Sequence, residues 1–358
     1  MADVSKKPLS LPMIFQYNKK ADLRQAIIIR IGSSMNKKAI NLCNTAIILV
    51  NILVILAGIF FFLGKSDFSF NQKENSHLIG ASYMTMNNEF YKIIGEEITH
   101  RVEAEGDRIV LRDPALNADR QIEQIQEMLD MGIDVLIITP VDWASLTDIL
   151  ERAKEQGTLI VVLDTDVLNS ELPDCTITSD NYQAGVIVGE YFLTQHDSAR
   201  IVIMTHEATV SGQERVRGFV DAVSQNANME IVERIECEGQ LEIAMPKLQE
   251  SIEEGIRFDS VFCLNDLASV GVAAALDEQH MLGDVKLYGV DASPDSKALI
   301  AEGMMEASAA QFPTEIGKEA AGIIYRLLDG ETVDKNILVP VELVTQENVR
   351  QFGIDRWQ

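Results

Sequence analysis

The sequence has few of the residues from which metal centres and disulfide frameworks are built. Among 358 residues there are four cysteines and five histidines, and no Cys-x-x-Cys pair occurs. The cysteines are Cys43, Cys175, Cys237 and Cys263. Because metal and disulfide sites need ligands at short, recognisable spacings, the sequence indicates free thiols in packed strands, and neither a metal site nor a cofactor is expected.

Basic residues are scarce as well. Lys and Arg number 30 against 55 Asp and Glu, so the formal net charge is -25 and the sequence pI is about 4.5. A nucleic-acid partner requires a basic face for its phosphates, and this acidic balance therefore argues against one. The basic residues are concentrated in residues 1–38, where eight Lys and Arg accompany two Asp.

Common catalytic signatures are also missing. No Gly-x-Gly-x-x-Gly motif and no nucleophile elbow is present, and Gly58 misses the P-loop spacing to the Gly64-Lys65-Ser66 segment by one residue. These absences disfavour dinucleotide-dependent enzymes, serine hydrolases and P-loop enzymes.

A long apolar run lies near the beginning of the chain. Residues 45–63 contain only two polar side chains, and as a helix they would measure about 28 Å, close to the ~30 Å hydrocarbon core of a bilayer. Lys37 and Lys38 precede the run and the acidic bulk follows it, so the positive-inside rule predicts a cytoplasmic N-terminus and an extracytoplasmic remainder. A cleaved signal peptide is the alternative, but the run exceeds the usual ~7–15 apolar residues and no A-x-A site follows it.

The sequence thus divides into four segments. We expect a short basic cytoplasmic N-terminus (1–38), a transmembrane signal anchor (39–64), a polar linker (65–76) and a binding domain (77–358). The stretch from Met35 to Ile40 opens like a natural signal anchor, which motivates the hypothesis that residues 1–34 come from a start codon assigned too early. A short cytoplasmic tail is the other interpretation of these residues.

Beyond the linker, apolar and amphipathic stretches alternate. Short apolar runs at 135–138, 159–163 and 201–204 are separated by amphipathic stretches such as 121–130 and 181–194. Such alternation is typical of a parallel sheet with helices on both faces. About 280 residues exceed one comfortable core, so the sequence predicts an α/β fold with two doubly wound parallel-sheet lobes and a cleft between them.

Polar residues follow several of the predicted strands where the connection to the next helix begins. In open α/β sheets, ligands bind outside this carboxyl edge of the strands. We therefore expect six residues to converge on one cleft: Asn88, Asp164, Arg215, Asn265, Asp291 and Gln311. Asp142 and Asp266 also follow strands, and we interpret them as helix caps.

The chemistry of this set suits a polyhydroxylated ligand. Carboxylates accept hydrogen bonds from hydroxyl groups, Arg donates them and amides do both. The rings of Phe90 and Tyr91, which follow Asn88, can stack on the C–H face of a sugar. Hydrogen bonds to charged groups contribute about 1.5–3 kcal/mol, against ~0.5–1.5 kcal/mol for neutral pairs. The sequence therefore predicts a sugar-binding cleft.

From about residue 78 onward, the chain resembles the periplasmic sugar-binding proteins of the ribose-binding type, which have the type I periplasmic-binding-protein fold. The resemblance rests on seven segments in the family's order: Asn87-Asn88-Glu89-Phe90-Tyr91, Leu163-Asp164, Ser179-Asp180-Asn181, Arg215-Val216-Arg217-Gly218-Phe219, Asn265-Asp266, Gly289-Val290-Asp291 and Gln311-Phe312-Pro313. It implies that eight residues line the sugar site, namely Asn88, Phe90, Tyr91, Asp164, Arg215, Asn265, Asp291 and Gln311.

The same resemblance implies that two lobes close around the ligand on a three-strand hinge. Lobe 1 would comprise about 77–179 and 312–340, and lobe 2 about 180–311 and 341–358.

The chain departs from the family pattern at four positions. Thr139 stands where Asn is usual, Thr165 where Arg is usual and Val290 where an aromatic residue is usual, and no aromatic residue lies near Gly239. Part of the stacking and one cation are therefore missing, and a pentose or hexose other than ribose is the expected ligand.

The predicted anchor also departs from a family whose members are mostly secreted or lipid-tethered. Anchored members resemble sugar-sensing partners of membrane histidine kinases. We therefore expect a membrane-anchored extracellular protein that closes on a monosaccharide and signals to a membrane sensor kinase. One alternative is the substrate-binding subunit of an ABC sugar importer, with a permease as its partner. Another is a glycosidase with Asp164 and Asp291 as paired carboxylates, although the sequence favours a protein that is not an enzyme.

Overall fold

The computed structural model describes residues 42, 45, 46, 48–51 and 76–358 of the chain. It divides into one unit of residues 1–71 and a second of residues 72–358. The described residues of the first unit are helical. Within the described ranges, none of the helices combines the length and the apolar character that a membrane span requires. The predicted N-terminus, most of the predicted anchor and nearly all of the predicted linker lie outside the described residues.

The second unit alternates strands and helices. Its first half contains β1 (Leu78–Ser82), α1 (Glu89–Ala104), β2 (Arg108–Arg112), α2 (Ala118–Asp130), β3 (Val135–Ile138), α3 (Thr147–Glu155), β4 (Leu159–Leu163), β5 (Cys175–Ser179), α4 (Asn181–Gln195), β6 (Ala199–Thr205) and α5 (Val210–Val223). Its second half contains β7 (Met229–Glu236), α6 (Leu241–Glu253), β8 (Ser260–Cys263), α7 (Asp266–Glu278), β9 (Lys286–Asp291), α8 (Pro294–Glu302), β10 (Ala307–Ala310), α9 (Pro313–Leu328), β11 (Asn336–Val339) and β12 (Glu342–Thr345).

These strands form two six-stranded sheets, one in each lobe. The order in lobe 1 is β11-β5-β4-β3-β1-β2, and the order in lobe 2 is β12-β10-β9-β8-β6-β7. Every pairing is parallel except that of β12 with β10. The predicted α/β fold with two parallel-sheet lobes is confirmed, with one antiparallel edge strand in lobe 2.

The chain passes between the lobes three times. The passages are Asp180 between β5 and α4, Gln311–Phe312 between β10 and α9, and Pro340–Val341 between β11 and β12. The last passage explains the antiparallel strand: β12 begins at the hinge, where the parallel strands end, and so runs in the opposite direction. The carboxyl ends of both sheets therefore face the hinge and the cleft.

Both faces of the lobe 1 sheet are covered by helices, as a doubly wound arrangement requires. All four residues of β3 are buried. Val135 and Ile137 pack in one apolar cluster with α1 and α9, while Leu136 and Ile138 pack in another with α2 and α3. Successive side chains of a strand point to opposite faces, so a wholly apolar strand indicates burial on both sides.

Most of the helices begin at residues whose side chains accept a hydrogen bond from the first turn. Asn265 caps α7 by accepting from the amide of Ala268 at 3.0 Å. The interpretation of Asp266 as a cap is therefore wrong by one residue, because Asp266 is already inside the helix. Asp142 is not a cap either, because its carboxylate accepts from the amide of Ala144 in a turn well before α3 begins at Thr147.

Two glycines allow α4 and α5 to pack backbone against backbone in lobe 2. A Cβ atom at Gly185 would overlap the carbonyl oxygen of Arg215 and lie 2.6 Å from the amide nitrogen of Phe219. A Cβ atom at Gly218 would overlap the carbonyl oxygen of Tyr182. Because Arg215 is one of the predicted site residues, this close helix contact also sets the position of the site.

We expect Gly185→Ala to destabilise the protein by about 1–3 kcal/mol, because the added methyl group meets main-chain atoms that cannot rotate away. Urea unfolding measures the change. Gly322→Ala in α9 is the matched control: this glycine is exposed and has no heavy atom within 4 Å of a new Cβ, so the better helix former should be neutral or stabilise by up to about 1 kcal/mol. Equal unfolding midpoints for the two variants would contradict the packing described above.

Candidate ligand-binding site

A polar cavity lies where the carboxyl ends of the two sheets meet the hinge. All eight predicted site residues line it. Asn88, Phe90, Tyr91 and Asp164 come from lobe 1, Arg215, Asn265 and Asp291 come from lobe 2, and Gln311 comes from the second passage between the lobes. Residues spread over more than 220 positions of the chain thus share one cavity.

The cavity is narrow in this structure. Its enclosed volume is about 40 Å³, within about 490 Å³ of space between atoms that is partly open to solvent. A larger ligand therefore requires the lining side chains to shift as the lobes close on it.

Arg215 lies at the centre of the cavity wall, between carboxylates of the two lobes. Its Nη2 lies 3.8 Å from Oδ1 of Asp164 in lobe 1, and its Nη1 lies 3.4 Å from Oδ1 of Asp291 in lobe 2. Nε donates to the Asn181 side-chain oxygen at 2.8 Å, and Nη1 donates to the carbonyl oxygen of Leu264 at 3.2 Å. The residue is only 4% exposed, and it sits in the second turn of α5.

Asp291 is close to a second buried carboxyl group, that of Asp266. The oxygens of Asp291 accept from Nε2 of Gln311 at 2.6 Å and from the amide of Asp266 at 3.2 Å. Asp266 in turn accepts from the amide of Ser293 at 2.6 Å and from the hydroxyl of Ser308 at 3.0 Å. Burial raises the pKa of both carboxyl groups, and their mutual repulsion adds to the increase for Asp266.

Burial also raises the pKa of Asp164, although the Arg215 guanidinium opposes that increase. The cavity therefore has two buried lining carboxyl groups, those of Asp164 and Asp291, for one guanidinium.

The backbone is strained at both of these carboxylates. Asp164 has φ 68°, Asp291 has φ 123° and the following Ala292 has φ 50°. Side-chain-bearing residues rarely adopt such angles, and where they do the surrounding contacts must hold them there. Both carboxylates are thus fixed in position by the fold.

Two aromatic rings from α1 form the lobe 1 wall. Phe90 and Tyr91 meet edge to face with ring centroids 5.5 Å apart. The Tyr91 hydroxyl donates to Oδ2 of Asp164 at 3.0 Å, and burial raises the pKa of Tyr91, so the hydroxyl stays a donor. Phe90 carries no polar group and supplies an apolar surface to the cavity.

The amide side chains differ in their free hydrogen-bonding capacity. Asn88 accepts from the amide of Phe90 at 3.0 Å, and Asn265, besides capping α7, donates to the carbonyl oxygen of Gly239 at 3.0 Å. By contrast, Oε1 of Gln311 is buried and has no hydrogen-bond partner within residues 76–358. A buried acceptor without a partner is costly, so this atom is suited to a donor group on a ligand.

The cavity is also lined by eight residues that were not predicted from the sequence. They are Met84, Thr85, His206, Thr209, Ser211, Glu238, Gln240 and Leu264. His206 directly follows β6, the same signal that marked the other site residues. Glu238 follows β7, a strand in which charged residues are frequent and no apolar run exists. Burial lowers the pKa of His206 and so favours its neutral form.

The positions that depart from the family pattern contribute in other ways. Thr165 accepts a hydrogen bond from the amide of Ser211 at 3.0 Å, which joins lobe 1 to lobe 2. Val290 is fully buried and does not line the cavity, whereas Glu238, the neighbour of Gly239, does. At Thr165 a contact between the lobes thus replaces the cation that the resemblance leads one to expect. Near Gly239 the acidic side chain of Glu238 replaces the expected aromatic ring.

A family model described as the periplasmic binding protein domain matches residues 79–332. The chain belongs to this family. The ribose import binding protein of Bacillus subtilis (strain 168) is 24% identical over 285 residues, which cover 79% of this chain and 91% of that protein. The D-xylose-binding periplasmic protein of Escherichia coli (strain K12) is 25% identical over 274 residues, covering 71% of this chain and 81% of that protein.

Solved structures share the fold. An ABC transporter solute-binding protein from Bacillus halodurans C-125 with bound myo-inositol has a TM-score of 0.73 at 22% identity, covering 78% of this chain and 97% of that chain. The predicted membership of the periplasmic sugar-binding family is confirmed at the level of the family. The prediction of a binding protein, not an enzyme, is confirmed by the same membership.

We expect Arg215→Met to destabilise the protein by about 3–5 kcal/mol near pH 7, because it leaves Asp164 and Asp291 buried without their cation. The deficit should shrink as the pH falls toward about 4. Both carboxyl groups have raised pKa values, so they take up protons and lose the uncompensated charge well before an exposed Asp does. Urea unfolding at several pH values measures both effects.

Arg217→Met is the matched control for this experiment. Arg217 lies on the same helix, its side chain is 59% exposed, and it pairs with Glu214 at the surface. Its removal should cost less than about 1 kcal/mol. Similar losses for the two variants, or a loss at Arg215 that does not change with pH, would show that the buried guanidinium does not hold the two carboxylates together.

Proposed function

We propose that the domain of residues 77–358 binds a neutral monosaccharide, a pentose or hexose, and closes its lobes on it. The observation that carries this proposal is the convergence of Arg215, Asp164, Asp291 and the unpartnered oxygen of Gln311 in one cavity between the lobes. Hydroxyl groups of a sugar both donate and accept, so one ligand can satisfy carboxylate, guanidinium and amide groups together.

The charge of the cavity narrows the class of ligand. Asp164 and Asp291 outnumber the single guanidinium of Arg215, and Glu238 adds a further carboxylate at the edge of the cavity. A sugar phosphate or a uronic acid would place another negative charge beside these groups in a water-poor site. We therefore expect neutral sugars to bind and their anionic derivatives to be rejected.

The comparisons support a small polyhydroxylated ligand. Relatives are named for ribose and for D-xylose, and a protein of the same fold holds myo-inositol. Replacement of the usual Arg by Thr165 removes a donor that a ribose-binding site uses in the family, so we expect this domain to prefer another sugar.

Closure follows from the division of the site between the lobes. Opening must lengthen the contact between Arg215 and Asp164 and break the hydrogen bond from the amide of Ser211 to Thr165. A sugar that hydrogen-bonds Asp164 on one side and Asp291 on the other contributes its binding energy only to the closed form, and so shifts the population toward it.

A thermal-shift screen of the full-length protein against common pentoses, hexoses and inositols tests the proposal. We expect at least one neutral sugar to raise Tm, since a ligand at about 100 times its Kd stabilises by about 2.7 kcal/mol. Glucose 6-phosphate and glucuronate should give no shift. Asp291→Ala should abolish the response, whereas Asp295→Ala, an exposed acidic residue in α8 of the same lobe, should retain it.

No response to any neutral sugar would count against the sugar-binding function. A full response in Asp291→Ala would remove Asp291 from the site.

We further propose that residues 39–64 anchor the protein in the cell membrane and that the domain signals its closure to a membrane sensor histidine kinase. This proposal is supported by the apolar run with lysines before it and an acidic bulk after it. A tether raises the effective concentration of the domain near a membrane partner. Service as the substrate-binding subunit of an ABC sugar importer is the alternative, and it is supported by relatives named for ribose import.

Deletion of the protein distinguishes these roles. The sensor role predicts that sugar-dependent phosphorylation of the kinase is lost while sugar uptake continues. Loss of uptake with unchanged kinase output would establish the importer role instead. For the anchor, the full-length chain should remain with alkali-washed membranes, whereas a chain starting at residue 72 should not. Release of the full-length chain by this wash would refute the anchor.

A further inference from the structure

The last six residues, Gly353–Gln358, contact both lobes and the hinge. We name them the tail segment. They follow β12 and a short 3-10 turn, Val349–Gln351. None of them lines the cavity described above.

A buried lysine fixes the tail segment to lobe 2. The Nζ of Lys297 in α8 donates to the carbonyl oxygen of Arg356 at 2.5 Å, to the side-chain oxygen of Gln358 at 3.0 Å and to the carbonyl oxygen of Phe352 at 3.4 Å. Lys297 is fully buried, and within residues 76–358 no carboxylate lies within 4 Å of its Nζ. Because a buried ammonium group is costly without partners, the tail segment is held firmly by it.

Gln358 joins the tail segment to the hinge. Its Nε2 donates to the carbonyl oxygen of Asp291 at 2.9 Å and also to the carbonyl oxygen of Gln311. Both acceptors belong to cavity-lining residues, and Asp291 has the unusual backbone angle noted above. One side chain thus fixes the main chain beneath two site residues.

Trp357 joins the tail segment to lobe 1. Its ring centroid lies 5.7 Å from that of Phe90, and its Nε1 donates to the carboxylate of Glu89 at 3.3 Å. Phe90 is the apolar wall of the cavity. Two adjacent residues of the tail segment therefore contact cavity-lining residues of both lobes. Trp357 packs against Phe90 in lobe 1, and Gln358 holds the main chain of Asp291 in lobe 2.

We propose that the tail segment is a latch that stabilises the closed arrangement of the lobes, with Trp357 and Gln358 as positioning residues for ligand binding. Because Lys297 holds the segment on lobe 2, lobe 1 cannot swing away unless Trp357 separates from Phe90. The latch therefore raises the fraction of molecules that are closed before ligand arrives. Apparent Kd equals the intrinsic value divided by that fraction, so loss of the latch weakens binding without removing a ligand contact.

The latch is tested first without any ligand. Only its expected effect on affinity rests on the proposed function; its effect on the arrangement of the lobes does not. Spin labels on cysteines introduced at Glu123 in α2 and Glu250 in α6, both exposed, report the distance between the lobes in the full-length protein. Cys43→Ser removes the one native cysteine that lies outside the described residues, and the other three are buried. We expect Trp357→Ala and Lys297→Met each to change the mean distance by several ångströms and to broaden its distribution.

Two matched variants distinguish a specific loss of the latch from a general loss of stability. Trp357→Phe retains a ring against Phe90 and should restore the wild-type distance. Lys286→Met removes a half-exposed lysine of lobe 2 that pairs with Glu306, and should leave the distance unchanged. A lower Tm with an unchanged distance in Trp357→Ala would mean that the tail segment has only a structural role, and would overturn the latch.

The second measurement is affinity for the sugar that gives the largest shift in the screen, with D-xylose as the first probe. Trp357→Ala should raise apparent Kd about tenfold, and Trp357→Phe should return it to within about twofold of the wild type. An unchanged Kd in Trp357→Ala would overturn the positioning role. If no sugar binds the wild type while the lobe distance still responds to Trp357→Ala, the sugar-binding function fails and the latch stands.

Discussion

The guanidinium of Arg215, held between a carboxylate of each lobe, is the interaction on which the cavity depends. It is buried with Asp164 on one side and Asp291 on the other, and its Nε is fixed by Asn181. The two lobes can approach this closely because one positive charge separates their negative ones. The packing of α4 against α5 through two glycines also positions Arg215, because the main-chain oxygen of Arg215 lies directly against Gly185.

Around Arg215 lie polar groups whose hydrogen-bonding capacity the protein satisfies only in part. Gln311 uses its amide hydrogen on Asp291 and leaves its oxygen unpartnered, while Asn88 and Asn265 use one or both ends of their side chains to hold helices and loops. The same residues therefore build the frame and face the cavity. Because of this dual use we expect the site to tolerate little change in geometry, and the strained backbone at Asp164 and Asp291 fits that expectation.

The sequence predicted strands and site residues correctly where burial or position in the sheet leaves a local pattern of residues. Apolar runs such as those of β3 and β8 identify buried strands, and polar residues that directly follow strands led to the residues that share the cavity. The strand β7 was not predicted, because charged residues interrupt its apolar ones, and so Glu238, two residues beyond its end, was missed. It also interpreted Asp266 as a cap, because a one-residue difference in helix start cannot be read from composition.

The tail segment could not be predicted in the same way. Its contacts join residues 47 to 268 positions apart, and a lysine in a helix is normally expected at the surface. Only the assembled fold shows that the Nζ of Lys297 donates to two main-chain oxygens and one side-chain oxygen.

The three passages of the chain between the lobes have a consequence for synthesis. Lobe 1 is not continuous in sequence: β5 is made early, but its outer neighbour β11 follows roughly 160 residues later, after nearly all of lobe 2. At ribosomal rates of about 5–20 residues per second, the edge of β5 waits on the order of ten to thirty seconds for its partner. During that interval the nascent chain exposes an open sheet edge, a surface that invites misassembly or a chaperone.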